Sequence, residues 1–526
     1  MLAALGGSME RSFIPGNHDP TTEDNYWADS WLPARKATGL TESRHGSSLF
    51  EFQGGLMKSR RFTSEDQKAF AQLSGDYNPL HVDALAARRL MYGAPVVHGI
   101  HCLLWALDDW LEEKTEYVQL LSLDVSFPKP LRVGEEARVS LKPVGERHVK
   151  MDVVAGASVV TKIECKWEAS NQTIDRAPDA RFPEKREPSV LPLDEIEAKS
   201  GVIELRCNPE AAAKLFPRLT QHISPLQIAV LLGTTRLVGM ECPGWHSVFS
   251  ELNLGSDRTH DSNSLKYEVT KFDRRFGLIL IRVAAPGLAG VIQAFSRPKP
   301  HEQINYLKTK QLVAGGEFSG QRALIVGGSR GLGEVTAKLL AAGGADVKIT
   351  YRQGRAEAQH ITEEIISGGG VAGSLEVDVL SASQDAFCRS LQDWAPTHLY
   401  YFATPFIFAG NKAVFSTELF HKFCDYYITG FLNMVGLFKG RGFLKVFHPS
   451  SVAVDEVPPD MAEYAAAKMA AEVLCQGLEK NNRAALAIYK PRLPRMGTDQ
   501  TVSLSRVHNQ DPVPIMLTHL RAFRDM

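Results

Sequence analysis

From Gln321 onward, short apolar runs alternate with helical patterns, and this alternation restricts the fold more than any other feature of the chain. The runs fall at 323–326, 347–351, 399–402, 443–447 and 485–489, and the helical patterns at 333–342, 357–367, 384–394 and 464–479. A strand buried on both faces reads as a continuous apolar run, and parallel neighbours need a crossover about as long as a helix. The C-terminal part, 321–526, is therefore expected to be a doubly wound parallel sheet with helices on both faces, the α/β Rossmann arrangement.

The N-terminal part has a different texture. Residues 1–48 are rich in Gly, Pro, Asn, Asp and Thr around isolated Trp27 and Trp31, and are read as an irregular extension. At Phe62 a capped helix begins: Thr63 or Ser64 is the N-cap, Asp66 stands near N3, and Phe70, Ala71 and Leu73 form an apolar stripe. A second apolar helix follows at 97–111, then strand-like segments at 118–127, 136–143, 148–155 and 158–168. The polar, proline-rich stretch 171–192 is a linker. The same order then recurs, with a helix across 225–238 and strands at 245–254, 265–271, 276–284 and 290–296. The repeat is too long for a solenoid unit, so a duplicated domain is expected. The predicted units are 49–170, 193–300 and, after a second linker at 301–320, the parallel-sheet part; the fold class is α/β plus α+β.

Composition excludes several function classes. The 526 residues carry 59 Lys and Arg against 60 Asp and Glu, so no stripe of positive charge awaits a nucleic acid. No run of eighteen apolar residues exists to cross a membrane, and MLAALGGSMERS lacks the basic flank of a signal peptide. The seven cysteines include no CxxC pair and no cluster at metal spacing, which fits a reducing compartment. A cytoplasmic protein without a metal is expected.

Two strings carry chemistry. The first is Leu73-Ser74-Gly75-Asp76-Tyr77-Asn78-Pro79-Leu80-His81, followed by Val97-His98-Gly99 at the opening of a helix. This string resembles the MaoC-like family of (R)-specific enoyl-thioester hydratases, whose fold is a double hot-dog. Adding water across an α,β double bond needs one group on the water and another on the α-proton, and a carboxylate with an imidazole supplies both. By that resemblance Asp76 and His81 are the pair, brought together by the Pro79 turn, and Asn78 orients the pair or the water. The Gly99 N–H would hold the thioester carbonyl and the enolate that develops there, and its missing side chain would leave room for the acyl chain. His98 and His101 are read as packing or supporting groups. The second repeat has no such string, and neither His222 nor His246 stands in one, so it is expected to shape the acyl pocket.

The second string is Val326-Gly327-Gly328-Ser329-Arg330-Gly331-Leu332-Gly333, which follows a strand and opens a helix, as pyrophosphate binding requires. Tyr351-Arg352 ends the next strand, Asp378-Val379 the third, and Tyr464-Ala-Ala-Ala-Lys468 lies downstream. Together these resemble the short-chain dehydrogenase/reductase family. The resemblance implies Gly327, Gly331 and Gly333 as phosphate-loop glycines, with Ser329, Leu332, Val379 and Ala403 beside the cofactor and Asp378 at the adenine. Arg330 and Arg352 stand where cations meet a 2′-phosphate, which favours NADP(H) over NAD(H). Tyr464 would act as acid and base, Lys468 would lower its pKa and hold the ribose, and Ser451 would hold the substrate oxygen. The chain departs from the family at Ala403-Thr404-Pro405, at Tyr427 where an asparagine is usual, and at Pro491-Arg492. It also stops before a clear seventh strand.

The two resemblances meet at one compound, a 3-hydroxyacyl thioester. The expected function is bifunctional: reversible hydration of a 2-enoyl thioester, and NADPH-dependent reduction of a 3-oxoacyl thioester carried on coenzyme A or a carrier protein. Two alternatives stay open, a single-activity dehydratase with a nucleotide-binding scaffold and a non-enzymatic acyl-carrier-binding module. Both fold types commonly pair, so a homodimer is expected.

Overall fold

The computed structural model describes residues 58–526 apart from 171–176, 258–262, 382–383, 411–413 and 505–506, so the extension expected over 1–48 lies outside the described residues. The first helix, Ser64–Ser74, begins at a reciprocal cap. Thr63 Oγ1 accepts the Asp66 N–H at 3.1 Å, and the Asp66 carboxylate accepts the Thr63 N–H at 2.7 Å. Its other end closes on Gly75 at φ 79°, a left-handed cap that turns the chain into Asp76.

The helix Gly99–Trp110 is buried on nearly every side, as a helix wrapped by a sheet must be. Around it stand Tyr117–Ser126, Glu136–Gly145, His148–Ala155 and Ser158–Ser170. The second repeat has the helix Pro225–Arg236 and the strands Ser247–Asp257, Ser264–Asp273, Leu278–Ala285 and Gly287–Ser296. All of these join in one ten-stranded antiparallel sheet whose two halves run in mirrored order outward from the pair Tyr117–Ser126 and Ser247–Asp257. The mirrored order shows the duplication directly, and the sheet is that of a double hot-dog. One apolar core runs through residues of both repeats, from Phe62 to Ala294, so neither repeat has a core to itself.

A difference from the sequence reading appears at the end of the second central helix. The α-helix expected through 238 stops at Arg236 and continues as a wider π-type turn, Leu237–Glu241. Single π-type turns recur inside helices at functional sites, and here the wide turn places Gly239 against Asp76.

The C-terminal part is a six-stranded, wholly parallel sheet. Its order is Val371–Glu376, Asp346–Tyr351, Arg322–Val326, His398–Tyr401, Leu444–Phe447, Leu486–Tyr489. Apolar clusters cover both faces, one including Leu340 and Phe523 and the other Phe431 and Met434. Among the described residues no seventh parallel strand follows; the chain runs into the helix Pro512–Asp525. A two-residue bridge, Ser450–Ser451 on Arg492–Leu493, fixes the segment that carries Ser451. Among the described residues no helix is long and apolar enough to cross a membrane.

Candidate active sites

Asp76 follows the αL cap of the first helix, and His81 lies in the single turn Pro79–Val82. With His98 they bring ligand-type atoms within 4.8 Å of one another. The His81 and His98 rings stack with centroids 3.9 Å apart. His81 Nδ1 lies 2.8 Å from the Val96 carbonyl, which only accepts, so Nδ1 carries the hydrogen and a neutral ring presents Nε2 as a free base. His98 Nε2 lies 3.0 Å from the Asp76 carbonyl and its Nδ1 3.0 Å from Gln67 Oε1, so His98 braces the loop. Burial holds the His98 imidazole well below its ordinary pKa, so the ring is neutral and donates from only one of these nitrogens.

The second repeat completes the Asp76 environment. Thr235 donates its hydroxyl to Asp76 Oδ2 at 2.6 Å, and the Asn78 backbone N–H donates to Oδ1 at 3.2 Å. A Cβ on Gly239 would fall inside the carboxylate. Burial raises the Asp76 pKa, against the opposing pull of His81, Thr235 and Asn78, and burial lowers that of His81 against Asp76. Desolvation thus moves both groups toward their uncharged forms.

The cavity beside the pair is lined by Asp76, His81 and Gly99 from the first repeat and by Thr235, Val238 and Gly239 from the second. Gly99 is the first residue of its helix, where a backbone N–H has no carbonyl one turn behind it. The space its missing side chain leaves is filled by the Phe127 ring, which itself lines the cavity, rather than being open to an acyl chain. Asn78 departs from the expected role. Its side chain does not reach the pair; Nδ2 donates to the carbonyls of Gly239 at 3.0 Å and Gly244 at 3.1 Å, while Oδ1 accepts the Leu80 N–H at 3.1 Å. A buried amide satisfies the nearest backbone groups, and here those belong to the second repeat. His101 stacks on Phe70 with centroids 4.5 Å apart.

In the parallel-sheet part, Gly327 and Gly331 hold φ of 82° and 58°, and a Cβ on Gly333 would collide with the Gly327 carbonyl. The helix Gly331–Ala342 starts at Arg330 without a side-chain cap, so its first N–H groups face the loop. Ala403 lies against Gly327, and Ser329 is buried. This cradle of open backbone donors fits a dinucleotide pyrophosphate. Asp378 caps its own turn through the Leu380 N–H at 3.1 Å and stands 3.8 Å from Arg352, which donates to the Tyr426 hydroxyl at 3.0 Å.

Tyr464 and Lys468 lie one turn apart on the helix Ala462–Asn481, both buried. Burial pushes the Tyr464 hydroxyl up to about 12, with Ser451 opposing, and brings the Lys468 ammonium down to about 7. Lys468 Nζ donates to the Pro449 carbonyl at 2.8 Å and sits 3.9 Å over the Tyr427 ring, against 5.8 Å from that of Tyr464. Tyr427 is buried and shares a 2.6 Å hydrogen bond with the Thr404 hydroxyl, so two of the departures noted in the sequence touch each other.

Sequence reasoning missed Thr235 and Gly239, which sit in an apolar helical stretch without a titratable group. It also missed Arg88 and Arg89, whose partners lie on the parallel-sheet part: Glu357 for Arg88, and Asp499, at 3.0 Å, for Arg89.

A ten-stranded double hot-dog with an acid and imidazole on a shared cavity, joined to a parallel nucleotide-binding sheet, defines a fusion of two enzyme folds. Residues 54–164 match the MaoC like domain and residues 321–486 the short chain dehydrogenase model. The (R)-specific enoyl-CoA hydratase of Aeromonas caviae is 32% identical over 114 residues, covering 20% of this chain and 84% of that protein. The chain belongs to the MaoC-like family and carries a short-chain dehydrogenase domain C-terminal to it. Peroxisomal multifunctional enzyme type 2 of Drosophila melanogaster is 33% identical over 110 residues, 19% of this chain and 18% of that protein. The 3-oxoacyl-[acyl-carrier-protein] reductase of Synechocystis is 39% identical over 67 residues, 13% of this chain and 27% of that protein. The chain thus spans well under two thirds of these last two.

Proposed function

We propose that the chain carries two activities meeting at a 3-hydroxyacyl thioester: reversible (R)-specific hydration of the 2-enoyl thioester, and reduction of the 3-oxoacyl thioester with NADPH. The reading rests above all on the convergence of Asp76 and His81 on a cavity that also reaches Gly99. In hydration, His81 Nε2 takes a proton from water as its oxygen bonds to C3. The Gly99 N–H stabilises the enolate oxygen, and protonated Asp76 delivers its proton to C2. In dehydration the Asp76 carboxylate removes the C2 proton, and the His81 imidazolium protonates the departing hydroxyl.

In the reductase domain the glycine loop would hold the pyrophosphate, and Asp378 and Val379 the adenine. NADPH supplies the hydride when bound. Tyr464 donates its hydroxyl proton to the carbonyl oxygen, Lys468 offsets the charge left on the phenol, and Ser451 orients the oxygen. Arg330 and Arg352, with no acid ending the second strand, support NADP over NAD. The substrate is a thioester of coenzyme A or a carrier protein, as the names of the relatives suggest, in a homodimer with domain boundaries near 170, 193 and 321.

A second reading, a hydratase whose nucleotide domain does not turn over, has one observation in its favour. Lys468 is held by the Pro449 carbonyl and by the ring of Tyr427, which stands where an asparagine is usual in the family. Purified protein decides between them. Crotonyl-CoA should lose its enoyl absorbance, and acetoacetyl-CoA with NADPH should oxidise the cofactor. Asp76→Asn should slow only the first reaction, by about a thousandfold, and Tyr464→Phe only the second. Tight NADPH binding with no oxidation, beside loss of enoyl absorbance, establishes the second reading; no loss of enoyl absorbance refutes both.

A further inference from the structure

Residues 83–95, between the Asp76 loop and the Gly99 helix, leave the hot-dog part and reach the glycine loop of the reductase domain. Arg330 Nη1 donates to the Arg88 carbonyl at 2.7 Å and lies 3.9 Å from Asp499. Arg89 Nε pairs with the same Asp499 carboxylate at 3.0 Å. The Arg88 guanidinium pairs with Glu357, in the first turn of the helix Arg355–Ser367. It also lies against Gly354, where any Cβ would collide with it. The Arg88 side chain is 13% exposed, and its Nε is buried without a partner.

Arg88, Arg89 and Arg330 thus face Glu357 and Asp499, with Glu334 also within electrostatic reach of Arg89, and their charge is gathered in a largely desolvated place. The strain on that charge shows in Arg330, which burial first and then Arg88 draw down to about 10. The cluster sits where the glycine loop meets the turn after the second strand. The uncapped N-terminus of the helix Arg355–Ser367 adds backbone donors there. A planar guanidinium with a free donor beside a second guanidinium suits a phosphate dianion better than any neutral group.

We propose that Arg88, supplied by the hydratase half, completes the 2′-phosphate subsite of the dinucleotide, with Arg89 neutralising Asp499 so that this carboxylate does not repel the phosphate. The proposal rests on the reading of the C-terminal domain as a nicotinamide dinucleotide site. It makes cofactor choice a property of the fusion: the reductase domain provides Arg330 and Arg352, and its neighbour provides the remaining fork.

Calorimetric titration of the full chain with NADPH and with NADH tests this without turnover. Arg88→Ala should weaken NADPH about tenfold, the scale of one charge-assisted hydrogen bond, and leave NADH within about twofold. Arg88→Lys should recover only part of the loss, because an ammonium lacks the fork. In competition, 2′,5′-ADP should lose the same factor and 5′-AMP none. Equal weakening of NADPH and NADH would assign Arg88 to holding the two parts together, and no change in either would remove it from the site; both results overturn the proposal. If Arg330→Ala is selective while Arg88→Ala is not, this proposal fails and the nucleotide site stands. If the unaltered chain binds neither dinucleotide, both readings fall.

Discussion

The two hot-dog repeats share a strand order and a buried central helix, yet they place opposite chemistry at their common cavity. The first contributes the carboxylate and the imidazole, Asp76 and His81, with His98 bracing the loop behind them. The second contributes a hydroxyl, Thr235, and an absence, the missing side chain of Gly239. The second repeat therefore forms the mould in which the Asp76 loop is set. It holds Asp76 by one hydrogen bond, confines it by one close approach and anchors its loop through carbonyls that accept from Asn78. Substitutions at the contacts between the two repeats should show how much of the activity and stability that mould supplies.

Gly239→Ala should have the largest effect. The added Cβ would overlap the Asp76 carboxylate, so the acid must move. A misplacement of about 1 Å costs on the order of a hundredfold in rate. Crotonyl-CoA hydration should fall by about that factor in kcat, while NADPH binding, far along the chain from this contact, stays unchanged. A fall below about threefold would mean the second repeat does not confine Asp76.

The next effect concerns stability. Asn78→Ala removes the donor to the buried Gly239 carbonyl and one of the two donors to the Gly244 carbonyl, which keeps the Ser247 N–H at 3.0 Å. Leaving buried partners unsatisfied costs about 1–3 kcal/mol, to be read as a lower midpoint in urea denaturation. Asn78→Asp should cost more, since a carboxylate at this place cannot donate to either carbonyl. Stability equal to that of the unaltered chain would break the view that this side chain ties one repeat to the other.

These differences also mark what the sequence makes legible. Asp76, His81 and Gly99 can be read because they lie in short local strings whose spacing fixes a turn and a helix start. The same holds for Gly327, Gly331, Tyr464 and Lys468. Both sheets are legible because buried strands and amphipathic helices differ in period. Thr235 is not legible: its partner lies 159 positions away, and a threonine in an apolar helix carries no mark of its task. The side chain of Asn78 was legible as important but not in its direction, because a loop string does not say which surface will close over it. Arg88 lies deeper still, since its meaning depends on how one domain packs against another.

The smallest effect is the sharpest test of how the two repeats divide the work. Thr235→Val keeps the shape of the side chain and removes only the hydroxyl that donates to Asp76 Oδ2. Loss of a hydrogen bond to a charged or charging group lowers the rate by about tenfold. The pH profile carries the sign. The Thr235 hydroxyl favours the carboxylate and so opposes the rise in Asp76 pKa that burial causes. Without it the pKa rises further, Asp76 remains protonated to higher pH, and the alkaline limb of the hydration profile should move upward. His81 also opposes the rise in the Asp76 pKa, so in His81→Ala whatever hydration remains should show this limb moved upward as well. A downward shift would mean that Asp76 works in hydration as the carboxylate, and that His81 delivers the proton to C2. An unmoved limb with a tenfold slower rate would leave Thr235 the task of orienting the acid without tuning it.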